Sequence, residues 1–216
     1  MRIPSIPARQ CRAMLTLLSP LLLVLGACAP STGSDRVVEV PAVAGDRYSL
    51  YDLGSTWRDQ AGASRTLDAL RGRPQVVAMV YTHCAASCPL TVAEMKRIAR
   101  ETPAAVGLVL VSLDPERDTP GRLAQYATDL GLAPDRWTLL SGPDDRVREL
   151  AASLGVRYRR ASPEEIAHSN ILTLLDSTGA IVRQQQGLDD TDEMIRAARA
   201  LAQSRQYAGS ARCVAC

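Results

Sequence analysis

Residues 76–89 of this chain read VVAMVYTHCAASCP. The segment begins as an apolar, β-branched run of the kind that forms a buried strand, and it then passes into a polar turn that carries Cys84 and Cys88. Pro89 suits the first turn of a helix. Apolar residues then follow at helical spacing, at Val92, Met95, Ile98 and Ala99. The pattern therefore predicts a strand, a turn with two cysteines and the N-terminus of a helix.

The predicted position of the two cysteines has chemical consequences. The N–H groups at a helix N-terminus and the helix dipole favour negative charge, so we expect the pKa values of both thiols to be lowered. Two side chains four residues apart on one helical turn differ by about 40° in direction. The two sulfurs can therefore either share a soft metal ion or close into a disulfide.

The length and composition favour one domain that does not bind nucleic acid. The chain has 216 residues, of which 46% are hydrophobic, enough for one sizeable core. Its formal charge is +2, but Arg2, Arg9 and Arg12 lie in the first 27 residues, which hold no acidic residue. The remainder carries 22 basic and 23 acidic residues, so its charge indicates no nucleic-acid partner.

The N-terminal segment is typical of a bacterial lipoprotein precursor. A basic start precedes an apolar run at residues 13–25, which is short for a membrane span. The run ends in Leu25-Gly26-Ala27-Cys28, which resembles a lipobox; an ordinary signal peptide with a chance cysteine is the alternative. We expect a signal peptide at residues 1–27, a lipid anchor on Cys28 and a flexible tether at residues 28–44. The folded domain would then lie in the cell envelope, on the periplasmic side of a membrane.

The other cysteines downstream of Cys28 form two close pairs, Cys84 with Cys88 and Cys213 with Cys216. Pairing at short range, outside the cytosol, indicates redox or metal chemistry rather than long-range disulfide bridges. The C-terminal pair resembles the approach to a c-type haem motif, but no histidine follows it in this sequence. We interpret residues 205–216 as a tail whose cysteines are either an accessory dithiol or a vestigial end.

Strands and helices alternate along the predicted domain at residues 45–204. We expect a hairpin within residues 47–70, strands within 105–113, 137–140 and 156–159, a second hairpin at 171–182, and helices between them, the last capped by Asp190. Ser162-Pro163-Glu164-Glu165 has capping-box spacing, which predicts one helical turn before His168. This order predicts an α/β, thioredoxin-like fold with a central mixed sheet flanked by helices and an N-terminal β-hairpin.

Three motifs in this order resemble the Sco/SenC family, membrane-anchored copper chaperones that serve cytochrome c oxidase assembly. They are Tyr81-Thr82-His83-Cys84 through Cys88-Pro89, LDPERDTP at residues 113–120, and His168-Ser169 ahead of Leu174-Leu175-Asp176. The resemblance covers roughly residues 45–203. It implies a thioredoxin-like domain that binds copper, as Cu(I) or Cu(II), between Cys84, Cys88 and His168.

The chain departs from the family pattern at two points. Ala85-Ala86-Ser87 stands between the cysteines, where members often carry proline and an acidic residue. Ala167 precedes the histidine, where an aspartate is common, which leaves open what supports the imidazole. His83 competes for the ligand role, but consecutive side chains of an extended segment point in opposite directions, which favours a loop role for it.

The ligand set and the resemblance leave two functions to compare. Two thiolates and an imidazole suit Cu(I) and tolerate Cu(II), although zinc would accept the same ligands plus water. The resemblance implies a chaperone that passes copper to an apo copper-accepting subunit of cytochrome c oxidase, or exchanges it with another copper chaperone, without turning over a small substrate. The alternative is an extracytoplasmic thiol-disulfide oxidoreductase in which Cys84 and Cys88 are a catalytic redox pair.

Two sequence features favour the binding role over an enzyme. Thioredoxin-type oxidoreductases carry a cis-proline before the strand that faces their cysteines, whereas Ile166-Ala167-His168 stands at that point here. Peroxiredoxins carry a threonine three residues before their cysteine, whereas Thr82 stands two residues before Cys84. We therefore expect a copper-transfer protein, with thiol-disulfide exchange as the competing activity.

Overall fold

A computed structural model describes residues 48–84, 87–188 and 191–213, with side chains as far as residue 204. The strands are β1 (Thr56–Asp59), β2 (Ser64–Thr66), β3 (Gln75–Val80), β4 (Gly107–Ser112), β5 (Trp137–Ser141), β6 (Tyr158–Ser162), β7 (Glu165–His168), β8 (Ile171–Leu175) and β9 (Ile181–Gln186). The helices are α1 (Cys88–Glu101), α2 (Pro120–Asp129), α3 (Asp144–Ser153) and α4 (Asp192–Cys213). The predictions for the signal peptide, Cys28, the tether, Asp190, Cys216 and the side chain of Cys213 lie outside these described residues.

The main sheet is mixed, as predicted. Its strand order is β2-β1-β5-β4-β3-β8-β9, with β3, β4 and β5 parallel to one another and the other pairs antiparallel. Every residue of β3 and β4 is buried, because strands at the centre of an α/β sheet are covered on both faces. The predicted N-terminal hairpin is formed by β1 and β2. The cysteine turn follows β3, so the core of the sheet fixes where the turn begins.

The helices pack their predicted apolar faces inward. Helix α1 buries Val92, Met95 and Ile98. Thr119 caps α2 as expected, since its hydroxyl accepts the N–H of Arg122. Gly131 and Gly155 follow α2 and α3 with φ of 60° and 68°, a backbone conformation that glycine adopts at little cost. Among the described residues, no helix is both long enough and apolar enough to cross a bilayer.

The segment before His168 corrects one prediction. Residues 162–165 do not form a helical turn; they form the turn of a β-hairpin whose strands, β6 and β7, make a separate two-stranded sheet. Ser162 Oγ accepts the N–H of Glu164 at 3.3 Å. A serine that bonds the backbone two residues onward stabilises a turn, and this arrangement competes with the helix cap that the same residues predict. The hairpin carries His168 at the end of β7.

Candidate metal site

Cys84, Cys88 and His168 meet beyond the end of β3. One ligand atom from each residue, the two Sγ atoms and an imidazole nitrogen, lie within 4.8 Å of one another. Cys88 is completely buried at the start of α1, whereas Cys84 is half-buried in the preceding loop. His168 comes from the separate hairpin, 80 residues farther along the chain than Cys88. The structure therefore brings together the three residues that the family resemblance implied.

The spacing of these atoms fits a shared metal ion. Cys88 Sγ lies 3.5 Å from His168 Nε2, and the N–H of Cys88 donates to Cys84 Sγ at 3.4 Å. Metal bonds of about 2.3 Å to sulfur and about 2.0 Å to nitrogen place two ligands roughly 3.5 Å apart at a tetrahedral angle. Both cysteines are thiols in the structure. Two sulfurs and one imidazole make a soft to borderline donor set, which copper accepts and zinc tolerates.

The imidazole of His168 is oriented by a backbone carbonyl. Its Nδ1 lies 3.3 Å from the carbonyl oxygen of Ser169, which can only accept a hydrogen bond, so Nδ1 carries the proton. Nε2 then presents its lone pair to Cys88 Sγ. Burial lowers the pKa of His168, which favours the neutral, ligating form. The carbonyl of Ser169 thus orients the imidazole, a role for which Ala167 has no polar side chain. The sequence did not reveal this contact because every residue has a backbone carbonyl.

The expectation of a lowered thiol pKa is wrong for Cys88. Burial raises the pKa of this thiol, and the hydrogen bond with Cys84 raises it further. The free-energy penalty for removing the thiolate from water is larger here than the stabilisation that the helix N-terminus gives to the negative charge. Cys88 is therefore a protonated thiol near neutral pH, and a cation that binds to it has to displace the proton.

Tyr81 connects the cysteine loop to the histidine hairpin. Its hydroxyl accepts the N–H of Ile166 at 3.3 Å and makes a hydrogen bond with the side chain of Cys84. Burial raises the pKa of Tyr81 to about 12, so the hydroxyl keeps its proton for that bond. The ring meets His83 and His168 edge-on, with centroids 4.8 and 5.9 Å away. The motif alone did not indicate this role for Tyr81, although a tyrosine at the end of a buried strand has a hydroxyl that needs a hydrogen-bond partner.

Replacing Tyr81 by phenylalanine should loosen the hairpin without unfolding the protein. The variant keeps the ring and loses both hydrogen bonds, so we expect the free energy of unfolding to fall by about 1–2 kcal/mol. Amide hydrogen exchange at Ile166 should become faster. Tyr126→Phe is the matched control, because Tyr126 is half-buried in α2 and its hydroxyl makes no hydrogen bond to another described residue. Unchanged exchange at Ile166 would contradict the role assigned to Tyr81.

Asp118 holds the loop that contains Cys84 through hydrogen bonds from Thr82. This carboxylate is completely buried and accepts three hydrogen bonds, from the N–H of Thr82 at 3.1 Å, the Thr82 hydroxyl at 2.6 Å and the Ser112 hydroxyl at 2.6 Å. A buried carboxylate is tolerated only with such partners. Asp118 therefore links the residues just before Cys84 to the end of β4.

Asp114 fixes the hairpin in the same way. Asp114 is also completely buried, and its carboxylate accepts hydrogen bonds from Arg160 of β6 at 3.0 Å and from Arg117 at 3.3 Å. His83 Nε2 lies 3.5 Å from the same carboxylate and 3.2 Å from Arg117. His83 therefore contacts Asp114 and Arg117, and among the described residues it is not in the group of possible metal ligands. The motif at residues 113–120 serves to position both halves of the site.

Comparisons with known proteins identify relatives of this chain. The SCO1/SenC family model matches residues 51–203. The SCO1 protein homolog of Bacillus subtilis is 25% identical over 142 residues, which cover 63% of this chain and 74% of that relative. Copper-bound ScoI of Bradyrhizobium japonicum is 26% identical with a TM-score of 0.59, over 68% of this chain and 96% of that one.

A second solved structure supports the same fold. BsSco, a member of the Sco family of cytochrome c oxidase assembly proteins in which a disulfide switch has been identified, is 23% identical with a TM-score of 0.63. The match covers 73% of this chain and 96% of BsSco. These neighbours confirm the predicted thioredoxin-like fold. The family match spans about seven tenths of the sequence and includes Cys84, Cys88 and His168, so this chain belongs to the SCO1/SenC family.

Proposed function

We propose that this protein binds one copper ion through Cys84, Cys88 and His168 and delivers it to the copper-accepting subunit of a cytochrome c oxidase. The observation that carries the proposal is the grouping of the three ligand atoms within 4.8 Å in a member of this family. Two thiolates hold Cu(I) well, and the imidazole adds the borderline ligand that Cu(II) requires. The expected lipid anchor on Cys28 would keep the protein at the membrane that holds the oxidase.

The unequal burial of the ligands suggests how the ion leaves. Cys88 is completely buried, whereas Cys84 and His168 are half-buried. An acceptor can therefore replace Cys84 and His168 first, while Cys88 keeps the ion until the exchange is complete. Ligand exchange in this order never releases free copper.

Thiol-disulfide exchange is the second candidate, and it is favoured by the proximity of two thiols. The two Sγ atoms lie within 4.8 Å of each other. In this reaction the thiolate of the more exposed Cys84 attacks a partner disulfide, and Cys88 then loses its proton and attacks the mixed disulfide as a thiolate. The partner gains two electrons and two protons as Cys84 and Cys88 become a disulfide. The same reaction would prepare the cysteines of an apo copper acceptor.

Copper titration and a disulfide-reductase assay on one preparation separate the two functions. We expect the reduced full-length protein to bind one equivalent of Cu(I) against a chromophoric chelator. Cu(II) should produce an intense sulfur-to-metal absorption band, and copper should displace zinc from the site because copper forms the stronger complexes. Catalytic reduction of an insulin disulfide combined with less than one equivalent of copper would instead support the oxidoreductase.

A further inference from the structure

A groove beside the site shows where an acceptor can approach. It has a volume of 310 Å³ and is lined by Arg157, Tyr158, Arg159, Ala167, His168 and Ser169. If copper is transferred by ligand exchange, the acceptor's donor atoms must come within about 2.0–2.3 Å of an ion that His168 still holds. Residues that border the half-buried His168 on the solvent side must therefore contact the acceptor.

The two strands of the hairpin divide their side chains between two faces. Tyr158 lies opposite His168, and Arg159 lies opposite Ala167. Residues directly opposite each other in an antiparallel pair project to the same face. The face with Tyr158 and His168 is turned toward the site, and the other face is the outer one.

Two arginines, Arg157 and Arg159, line the groove that contains His168, and no acidic residue lines it with them. Arg159 also borders a second cavity lined by Glu116 and by Asp144, and Asp144 is already paired with Arg148. Arg157 and Arg159 are exposed, and neither guanidinium has a hydrogen bond or ion pair with another described residue. Arg160, by contrast, bonds to Asp114. Glu164 pairs with Arg117, and Glu165 lies at the turn end of the hairpin, away from His168. The positive charge is therefore concentrated beside the exposed imidazole edge.

We propose that Arg157 and Arg159 form a docking surface for an acidic protein surface that surrounds the copper ligands of the acceptor. The inference rests on the proposed function for its purpose, because only a transfer partner has to come this close to His168. Arginines that form no ion pair attract carboxylates over about one Debye length and bind them with two parallel hydrogen bonds on contact. The surface would select acidic acceptors, speed their encounter and orient them toward His168.

The probes are two synthetic peptides of equal length that share one Cys-x-x-x-Cys pair, flanked by four glutamates in one and four lysines in the other. Copies with serine in place of cysteine measure docking without copper, by fluorescence anisotropy against the full-length protein. The cysteine peptides measure the rate of copper transfer from the loaded protein. At low salt we expect the glutamate peptides to bind more tightly and to accept copper at least about tenfold faster, a preference that disappears in high salt.

Arg157→Gln/Arg159→Gln should abolish this preference, because it removes two positive charges beside the site. Arg100→Glu is the matched control: it changes the net charge by the same amount at an exposed arginine near the far end of α1, about 18 Å along the helix from Cys88. The control should keep the preference. An equal loss in both variants, or a preference that survives in the double variant, would overturn the docking surface.

The two assays also distinguish this inference from the proposed function. If the protein bound no copper but still preferred the glutamate-flanked peptide that carries serine in place of cysteine, the docking surface would be supported and the chaperone function would be refuted. If the protein bound copper but showed no preference for the glutamate-flanked peptide in the anisotropy measurement, the copper site would be supported and the docking surface would be refuted.

Discussion

Cys84→Ser/Cys88→Ser is expected to reduce bound copper from one equivalent to none. The two sulfurs are the soft donors that hold Cu(I), and serine hydroxyls are hard, protonated groups that cannot replace them. Groups that only support a ligand already change metal affinity by about 10–100-fold, so loss of two direct ligands should exceed about 100-fold. The measurement is Cu(I) competition with a chelator, together with the sulfur-to-copper absorption band, which should disappear.

The second cysteine pair supplies the control for this experiment. Cys213→Ser/Cys216→Ser makes the same chemical change at the end of α4 and beyond, and we expect it to keep one equivalent of copper. Circular dichroism should show that both double variants are folded, since serine at the completely buried position 88 adds a polar group to the core. Full stoichiometric copper in Cys84→Ser/Cys88→Ser would refute the assigned site. Loss of copper in the control would place an ion at the C-terminal pair.

His168→Ala is expected to separate the two oxidation states of copper. Cu(I) can be held by the two thiolates, so we expect its affinity to fall by less than about tenfold. Cu(II) needs the nitrogen ligand, and its affinity should fall by more than about 100-fold. The two affinities are measured by competition with chelators selective for each ion. The Cu(II) absorption band should weaken and shift because one ligand is replaced by water.

His83→Ala is the matched control, because it removes an imidazole one residue from Cys84. The side chain of His83 faces Asp114 and Arg117, so copper affinity should change little. A small loss of stability is expected from the missing contact with the buried carboxylate. If His83→Ala lost Cu(II) binding while His168→Ala kept it, the ligand assignment would be reversed.

The sequence alone determined the strand, turn and helix around the cysteines, and with them the end of the sheet at which the site lies. The apolar run at residues 76–80 forms a buried strand, and the spacing of Val92, Met95 and Ile98 forms one helix face, because each pattern matches a local backbone period. Pro89 and Thr119 marked helix starts through local backbone chemistry. Local signals of this kind require no knowledge of distant residues.

Other local signals were ambiguous, and tertiary contacts decided between their meanings. Residues 162–165 have the spacing of a helix cap, yet they form a hairpin turn because Ile166 beyond them is buried and its N–H bonds to Tyr81. The helix N-terminus favours a thiolate at Cys88, yet burial raises the pKa of that thiol. In both cases the environment contributed by distant residues outweighs the local preference.

The meeting of His168 with the two sulfurs was decided by the tertiary structure alone. From the residues themselves, a histidine 80 positions from Cys88 has no local relation to it, and only the family resemblance indicated the pairing. The hairpin that carries His168 is not part of the main sheet, so strand pairing with that sheet does not place it. Its place is set by Tyr81 and by the ion pair between Arg160 and the buried Asp114, both of which act across the chain. Local patterns thus specify strands, helices and the cysteine turn, whereas bonds between buried polar groups far apart in sequence assemble the site.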